Sequence, residues 1–320
     1  TGGAGFIGSH LVEHLLARGD DVVVVDNLST GHAGNLRHLH GAPLTVIEST
    51  VGDALPSFGV DEFDEIYHLA AAVGVRLVIE QPIHTIETNV HETSAILRYA
   101  TAGRIRTLIA SSSEVYGKGT RTPFREDDDV LYGPTIYSRW SYACSKAIDE
   151  YLALAYARQH GLPAVVARFF NTVGPRQIGT YGMVLPRFVD AALAGDPLTV
   201  HGDGRQSRCF CDVRDVVRVL PELLGDDRAV GNVFNVGNDE SIEIIDLAKR
   251  VISVLDSTSD IHFVPYDDAF GADFDDLRVR QPDLTKLRSI TGFRIRHGLD
   301  DTIRDLARER TTSSPDGATT

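Results

Sequence analysis

Over residues 1–171, short β-branched runs alternate with longer stretches whose apolar residues recur every three or four positions. Val22–Val25, Leu44–Ile47, Glu65–Leu69, Thr107–Ala110 and Ala164–Phe169 read as strands. Gly8–Arg18, Pro82–Ala102 and Ser141–His160 read as amphipathic helices. Strands that are apolar nearly throughout, each followed by a helix, belong to a parallel sheet covered on both faces. The pattern therefore predicts a doubly wound α/β domain over 1–171. After Asn171 it loosens, with punctuation at Gly174-Pro175-Arg176 and Gly202-Asp203-Gly204 and helices near Val184–Ala194, Val213–Leu224 and Ile244–Leu255. This predicts a smaller α/β cap over 172–310. Thr311–Thr320 is rich in Ser, Thr, Gly and Pro and reads as a disordered tail.

The chain opens on Gly2-Gly3-Ala4-Gly5-Phe6-Ile7-Gly8, a G-x-x-G-x-x-G turn leading straight into a helix. A turn of this kind normally follows a buried strand, so the sequence is expected to start just after its first strand. Glycines let the backbone approach a pyrophosphate, and the start of the helix offers free N–H groups and a positive dipole end. Gly2, Gly5, Phe6, Ile7 and Gly8 are thus candidates to hold a dinucleotide. Asp26 ends Val22-Val23-Val24-Val25, 18 residues after Gly8. A carboxylate there accepts from both ribose hydroxyls of adenosine and disfavours a 2′-phosphate, which points to NAD rather than NADP. Asn27 follows it at the same strand end, and Asp53 is placed to touch adenine.

Tyr142 and Lys146 lie four apart on one helix face. An ammonium beside a phenol favours the phenolate and yields a usable base. Upstream, Ser111-Ser112-Ser113-Glu114 ends a strand at the carboxyl edge of the sheet, where ligands bind in such folds. Ser112 is placed to hold the hydroxyl that Tyr142 deprotonates.

Net charge removes other partners. At −14 the chain lacks the basic stripe that nucleic acid requires, although local arginines still suit a phosphate-bearing small ligand. No apolar run reaches the length of a membrane span. Cys144, Cys209 and Cys211 show neither C-x-x-C spacing nor a histidine cluster, which predicts reduced thiols in a cytoplasmic protein and no metal site.

Taken together, Gly2–Gly8, His68-Leu69-Ala70-Ala71, Ser112–Gly117, Tyr142 with Lys146, and Arg168-Phe169-Phe170-Asn171 resemble the extended short-chain dehydrogenase/reductase family across essentially the whole chain. The resemblance implies a Rossmann-type fold and tightly held, recycled NAD that Leu69, Ala70 and Ala71 help to enclose. It also implies oxidation at carbon 4 of a nucleotide-sugar by Ser112, Tyr142 and Lys146. Asn171, Arg187, Leu198-Thr199-Val200 and Arg208 are similar to the family's nucleotide-diphosphate site. Arg280-Gln281-Pro282-Asp283 is similar to its late R-x-x-D element, with Arg280 on the diphosphate and Asp283 on ribose. Ser113-Glu114 replaces the Asp-Glu of 4,6-dehydratases, which argues against dehydration, and Ser-Glu before Val-Tyr-Gly resembles UDP-glucuronate decarboxylases. In those enzymes, residues at the positions of Glu114 and Arg280 complete the active site. The alternatives are 4-epimerisation of UDP-glucuronate or a neutral UDP-hexose, and a silent NAD-binding regulator. The resemblance also implies a homodimer, with Ala147, Tyr151, Leu154 and Ala155 on the seam.

Overall fold

The computed structural model describes residues 1–74, 78, 80–179, 183–265 and 277–313. Helix α1 (Phe6–Arg18) is followed by strands β1 (Val22–Asp26) and β2 (Leu44–Glu48), the short helix α2 (Val51–Ala54) and β3 (Glu65–His68). Helix α3 (Pro82–Gly103), β4 (Arg106–Ser112), helix α4 (Arg139–His160) and β5 (Ala164–Phe169) complete the first part of the chain. The pairings β1–β2, β3–β4 and β4–β5 are all parallel. Residues 1 and 2 bridge β3 and β1: the Thr1 carbonyl accepts from Leu69 N–H at 3.2 Å, and Gly2 N–H donates to the Val25 carbonyl at 2.9 Å.

Alternation along the central strands sends neighbouring side chains to opposite faces. Leu108, Val165 and Ala167 join α1 in one core, while Ile109, Ala164 and Val166 pack with Ile96, Leu97 and Ala100 of α3 in another. Being buried on both sides explains why these strands read as unbroken apolar runs.

The later chain forms β6 (Thr172–Val173), helix α5 (Val184–Ala194), β7 (Leu198–His201), β8 (Ser207–Cys209), β9 (Cys211–Asp212), helix α6 (Val213–Gly225) and β10 (Val233–Val236). β11 (Ser241–Glu243), helix α7 (Ile244–Val254), β12 (Ile261–Val264), β13 (Val279–Arg280), and helices α8 (Thr285–Thr291) and α9 (Leu299–Ser313) follow. The cut expected at 171/172 is not clean. β10 pairs in parallel with β5, and Val216, Leu220 and Leu223 of α6 share a core with Leu11 and Leu15 of α1. A sheet buried on both faces needs a cover on its α1 side, and α6 supplies it from beyond the boundary. The smaller unit has its own core of Leu185, Phe188, Leu198, Val200, Leu247, Ile303 and Leu306. The tail expected from Thr311 is helical as far as Ser313, because α9 continues through it, and the remainder of that expectation lies outside the described residues. No described helix is long and apolar enough to cross a membrane.

Candidate active site

Between the two cores, at the carboxyl ends of β1, β3 and β4, runs a cleft of about 1170 Å³. Pockets for one small ligand are typically about 300–1,000 Å³, so this one suits two ligands meeting end to end.

At one end the glycine turn is forced by contact. A Cβ on Gly8 would lie 2.0 Å from the Gly2 carbonyl oxygen, and one on Gly2, at φ +72°, would lie 2.6 Å from Ala70 N. No side chain caps the first turn of α1, so its leading N–H groups face the cleft beside Gly5, Phe6 and Ile7. Asp26 is 7% exposed and spans the turn: Oδ2 accepts from Ala4 N–H and Oδ1 from Leu28 N–H, each at 2.9 Å. Asn27, Leu69, Ala70 and Ala71 line the same end. A backbone cradle that no Cβ could enter, a helix start and a carboxylate at the ribose position fit NAD. Asp53 is the exception. Its backbone N–H donates to Thr50 Oγ1 at 3.2 Å and its carboxylate accepts from the same hydroxyl at 2.8 Å, which closes the first turn of α2 away from the cleft. Ser49, Thr50 and Val51 form the wall there.

At the other end Ser112 terminates β4, and its hydroxyl accepts from Glu114 N–H at 3.2 Å. Ser113 is nearly enclosed in the same wall. Ser112 faces Tyr142, and its hydroxyl favours the phenolate; Tyr142 stands in the first turn of α4 with Lys146 one turn on. Lys146 was expected to bring the phenol down. In the structure the ammonium is taken by Asp149 at 3.1 Å, and burial together with the Glu114 carboxylate pushes Tyr142 up against the pull of Ser112.

Glu114 is an ionised carboxylate. Burial would raise it, but Arg280, Arg139 and Arg208 outweigh burial and hold it below the usual carboxylate range. Arg280 Nη1 lies 2.5 Å from Oε1, and Arg139 Nη2 lies 3.8 Å from Oε2. Arg139 escaped the sequence reading as a site residue. It stands three positions before Tyr142, on the same helix face, with its guanidinium 5.3 Å from the Trp140 ring centre. Its spacing to Tyr142 was the available signal.

Arg280 is brought in by β13, which pairs in parallel with β8 so that Arg280 and Arg208 are register neighbours. Like charges side by side are unfavourable unless anions meet them. Glu114 meets Arg280, and the open cleft leaves room for a second anion. Asn171, Arg187 and Thr199 also line this end. Leu198 and Val200 do not: β7 alternates, so they point into the core at 0% exposure while Thr199 and His201 face the cleft. Asp283 is likewise outside, its carboxylate accepting from Thr285 N–H at 2.8 Å at the start of α8.

Residues 1–237 match the profile of the NAD dependent epimerase/dehydratase family. The chain is 42% identical over 313 residues to a UDP-N-acetyl-alpha-D-glucosaminuronate decarboxylase of Bacillus cytotoxicus, with 95% of each chain covered. It is 37% identical to UDP-glucuronic acid decarboxylase 4 of Arabidopsis thaliana, covering 96% of this chain and 67% of that one. Among solved structures, the NAD complex of UDP-glucose 4-epimerase from Thermus thermophilus superposes with a TM-score of 0.82 at 27% identity, covering 98% of both chains.

Proposed function

Since this chain belongs to the NAD dependent epimerase/dehydratase family, we propose that it decarboxylates a UDP-linked hexuronate, UDP-glucuronate or its 2-acetamido counterpart. Bound in the glycine turn, NAD would supply the acceptor and donor of hydride for sugar carbon 4. Tyr142 accepts the carbon 4 hydroxyl proton while Ser112 holds that oxygen. The carbon 5 carboxylate is then β to a ketone. Its bond to carbon 5 breaks, the electron pair passes into an enolate on the carbon 4 oxygen, and carbon dioxide leaves. Carbon 5 takes up a proton, and Tyr142 gives its own back as the alcohol re-forms. Arg280 stabilises the enolate charge, an electrostatic role. The glycine turn and Asp26 hold the cofactor, and Arg187 and Arg208 hold the diphosphate.

The observation that carries this reading is the charge around Glu114. Arg280 and Arg139 both reach this carboxylate, and guanidinium groups so placed beside the sugar suit an acid sugar better than a neutral one. Incubation with UDP-glucuronate, and separately with UDP-N-acetylglucosaminuronate, should release carbon dioxide and the corresponding UDP-pentose from one of them. Appearance of a UDP-galacturonate-type product without carbon dioxide would replace this reading with 4-epimerisation.

We further propose a cytoplasmic homodimer. Free Cys144, Cys209 and Cys211 suit a reducing compartment. Of the expected seam, Tyr151 is 66% exposed, as are in part Ile148 on α4 and Ile86 on α3, whereas Ala147 and Leu154 pack inward. Tyr151→Glu should convert a dimer mass in solution to a monomer mass.

A further inference from the structure

An acid that the proposed reaction does not use lies directly beneath its base. Asp149 follows Lys146 by three residues on α4, is fully enclosed at 0% exposure, and accepts from the ammonium at 3.1 Å. The lysine side chain is itself only 3% exposed, so water does not screen this pair. Burial raises the Asp149 carboxyl, and Lys146 and Thr93 of α3 pull it back down. Behind Thr93 stands His68 of β3, also at 0% exposure, with Nε2 3.2 Å from Thr93 Oγ1 and Nδ1 2.8 Å from Thr1 Oγ1. Burial and the Lys146 charge hold His68 far below its ordinary range, so the ring is neutral and has one N–H. One ring nitrogen therefore donates and the other accepts, between the Thr1 and Thr93 hydroxyls, and Thr93 stands between the ring and Asp149.

The other charged groups facing this cluster act in the same sense or are committed elsewhere. Glu114, across the cleft, is negative and also opposes the phenolate. Glu150, next to Asp149, is bound by Arg168 Nη2 at 2.7 Å and by the Ser111 hydroxyl at 2.5 Å. Lys146 is therefore the cation of the pair that the Tyr-Lys spacing presents to the phenol, and Asp149 is placed to cancel it.

We propose that Asp149 is a positioning residue that restrains Lys146 and so sets the pH at which Tyr142 can serve as the base. This rests on Tyr142 being the base and is indifferent to the later fate of the ketone.

Asp149→Asn keeps the size of the side chain and an oxygen for Lys146 while removing the negative charge. In the holoenzyme, the acid limb of kcat/KM should move down by about one pH unit, because an opposite charge within a few ångströms shifts a titration by roughly 1–3 units and the lysine would then act on the phenol unopposed. The Tyr142 contribution to phenolate absorbance, obtained by subtracting Tyr142→Phe, should rise at a fixed alkaline pH. An acid limb that stays in place or moves up, with a lowered melting temperature alone, would show that Asp149 only supports the fold and overturn the proposal. If Asp149→Asn does not accumulate as folded protein, Thr93→Val should produce a smaller change of the same sign, and no change there would equally overturn it. The absorbance measurement needs no substrate, so a wild type that turns over neither uronate would defeat the decarboxylase reading and leave this test standing.

Discussion

The two ends of the cleft are built in opposite ways. The cofactor end is one continuous turn and helix, closed by the ends of β1 and β3, and the tightest contact within it, Gly8 against the Gly2 carbonyl, lies six positions apart. The sugar end gathers Ser112, Tyr142, Asn171, Arg187, Thr199, Arg208 and Arg280 from separate elements. Glu114 and Arg280 meet at 2.5 Å although they are 166 residues apart in the chain. A local motif announces itself in sequence because sterics near in the chain leave few alternatives. An assembled site depends on register and strand parity, and a residue one position away can face the wrong side.

The sharpest way to break the sugar end is at its base. Tyr142→Phe should lower turnover by about 10³–10⁴-fold and abolish any transient NADH signal, since the hydroxyl proton must leave before hydride can. Glu114→Gln, in contrast, should retain a single-turnover NADH signal and slow carbon dioxide release by roughly 10²-fold or more. Equal loss of both signals would show that Glu114 is needed for the oxidation as well.

The cofactor end should fail through one added methyl group. Gly8→Ala places a Cβ 2.0 Å from the Gly2 carbonyl oxygen, closer than any real contact allows, so the purified variant should carry no NAD. Gly5→Ala meets the same oxygen at 3.2 Å and should retain part of it. Nucleotide released on denaturation and quantified by absorbance decides between them. Comparable retention in both would mean that the turn is not under the steric control described.

Strand parity is tested on β7. Leu198→Ala removes a fully buried side chain and should cost about 2–5 kcal/mol in denaturant unfolding with KM unchanged. Thr199→Ala should raise KM and leave stability nearly intact. The smallest effect is expected at Asp283, whose carboxylate accepts from the Thr285 N–H at the start of α8. Asp283→Ala should cost about 1 kcal/mol, with no change in nucleotide-sugar affinity by calorimetry. A weakened affinity would return Asp283 to the ribose role that its motif suggested.

The strands and helices of the first part were legible because each has a clear period and, in the sheet, burial on both faces. That Ser112, Tyr142 and Lys146 line one cleft was legible because helical spacing and a strand end at the carboxyl edge fix where side chains meet. Asp53, Leu198, Val200 and Asp283 were misplaced for a common reason. Each lies within a residue or two of a true wall residue, and spacing alone does not say which way a side chain turns. Arg139 and Asp149 were missed as functional groups because on a helix surface a charge is ordinarily solvated. Only the packing around them shows that Arg139 faces Glu114 and that Asp149 is sealed against Lys146.

By itself the sequence determined the parallel α/β layering, the glycine turn with its acidic partner at Asp26, and a Tyr142–Lys146 pair one helical turn apart. These depend on periodicity and on backbone sterics that act over a few residues. The tertiary structure alone decided that α6 and β10 return to the first sheet, that Arg280 lies beside Arg208 and against Glu114, and that the catalytic lysine is held by a buried acid. Each of these is a contact between segments distant in the chain or a matter of what surrounds a side chain, and neither distance nor enclosure is written in the order of residues.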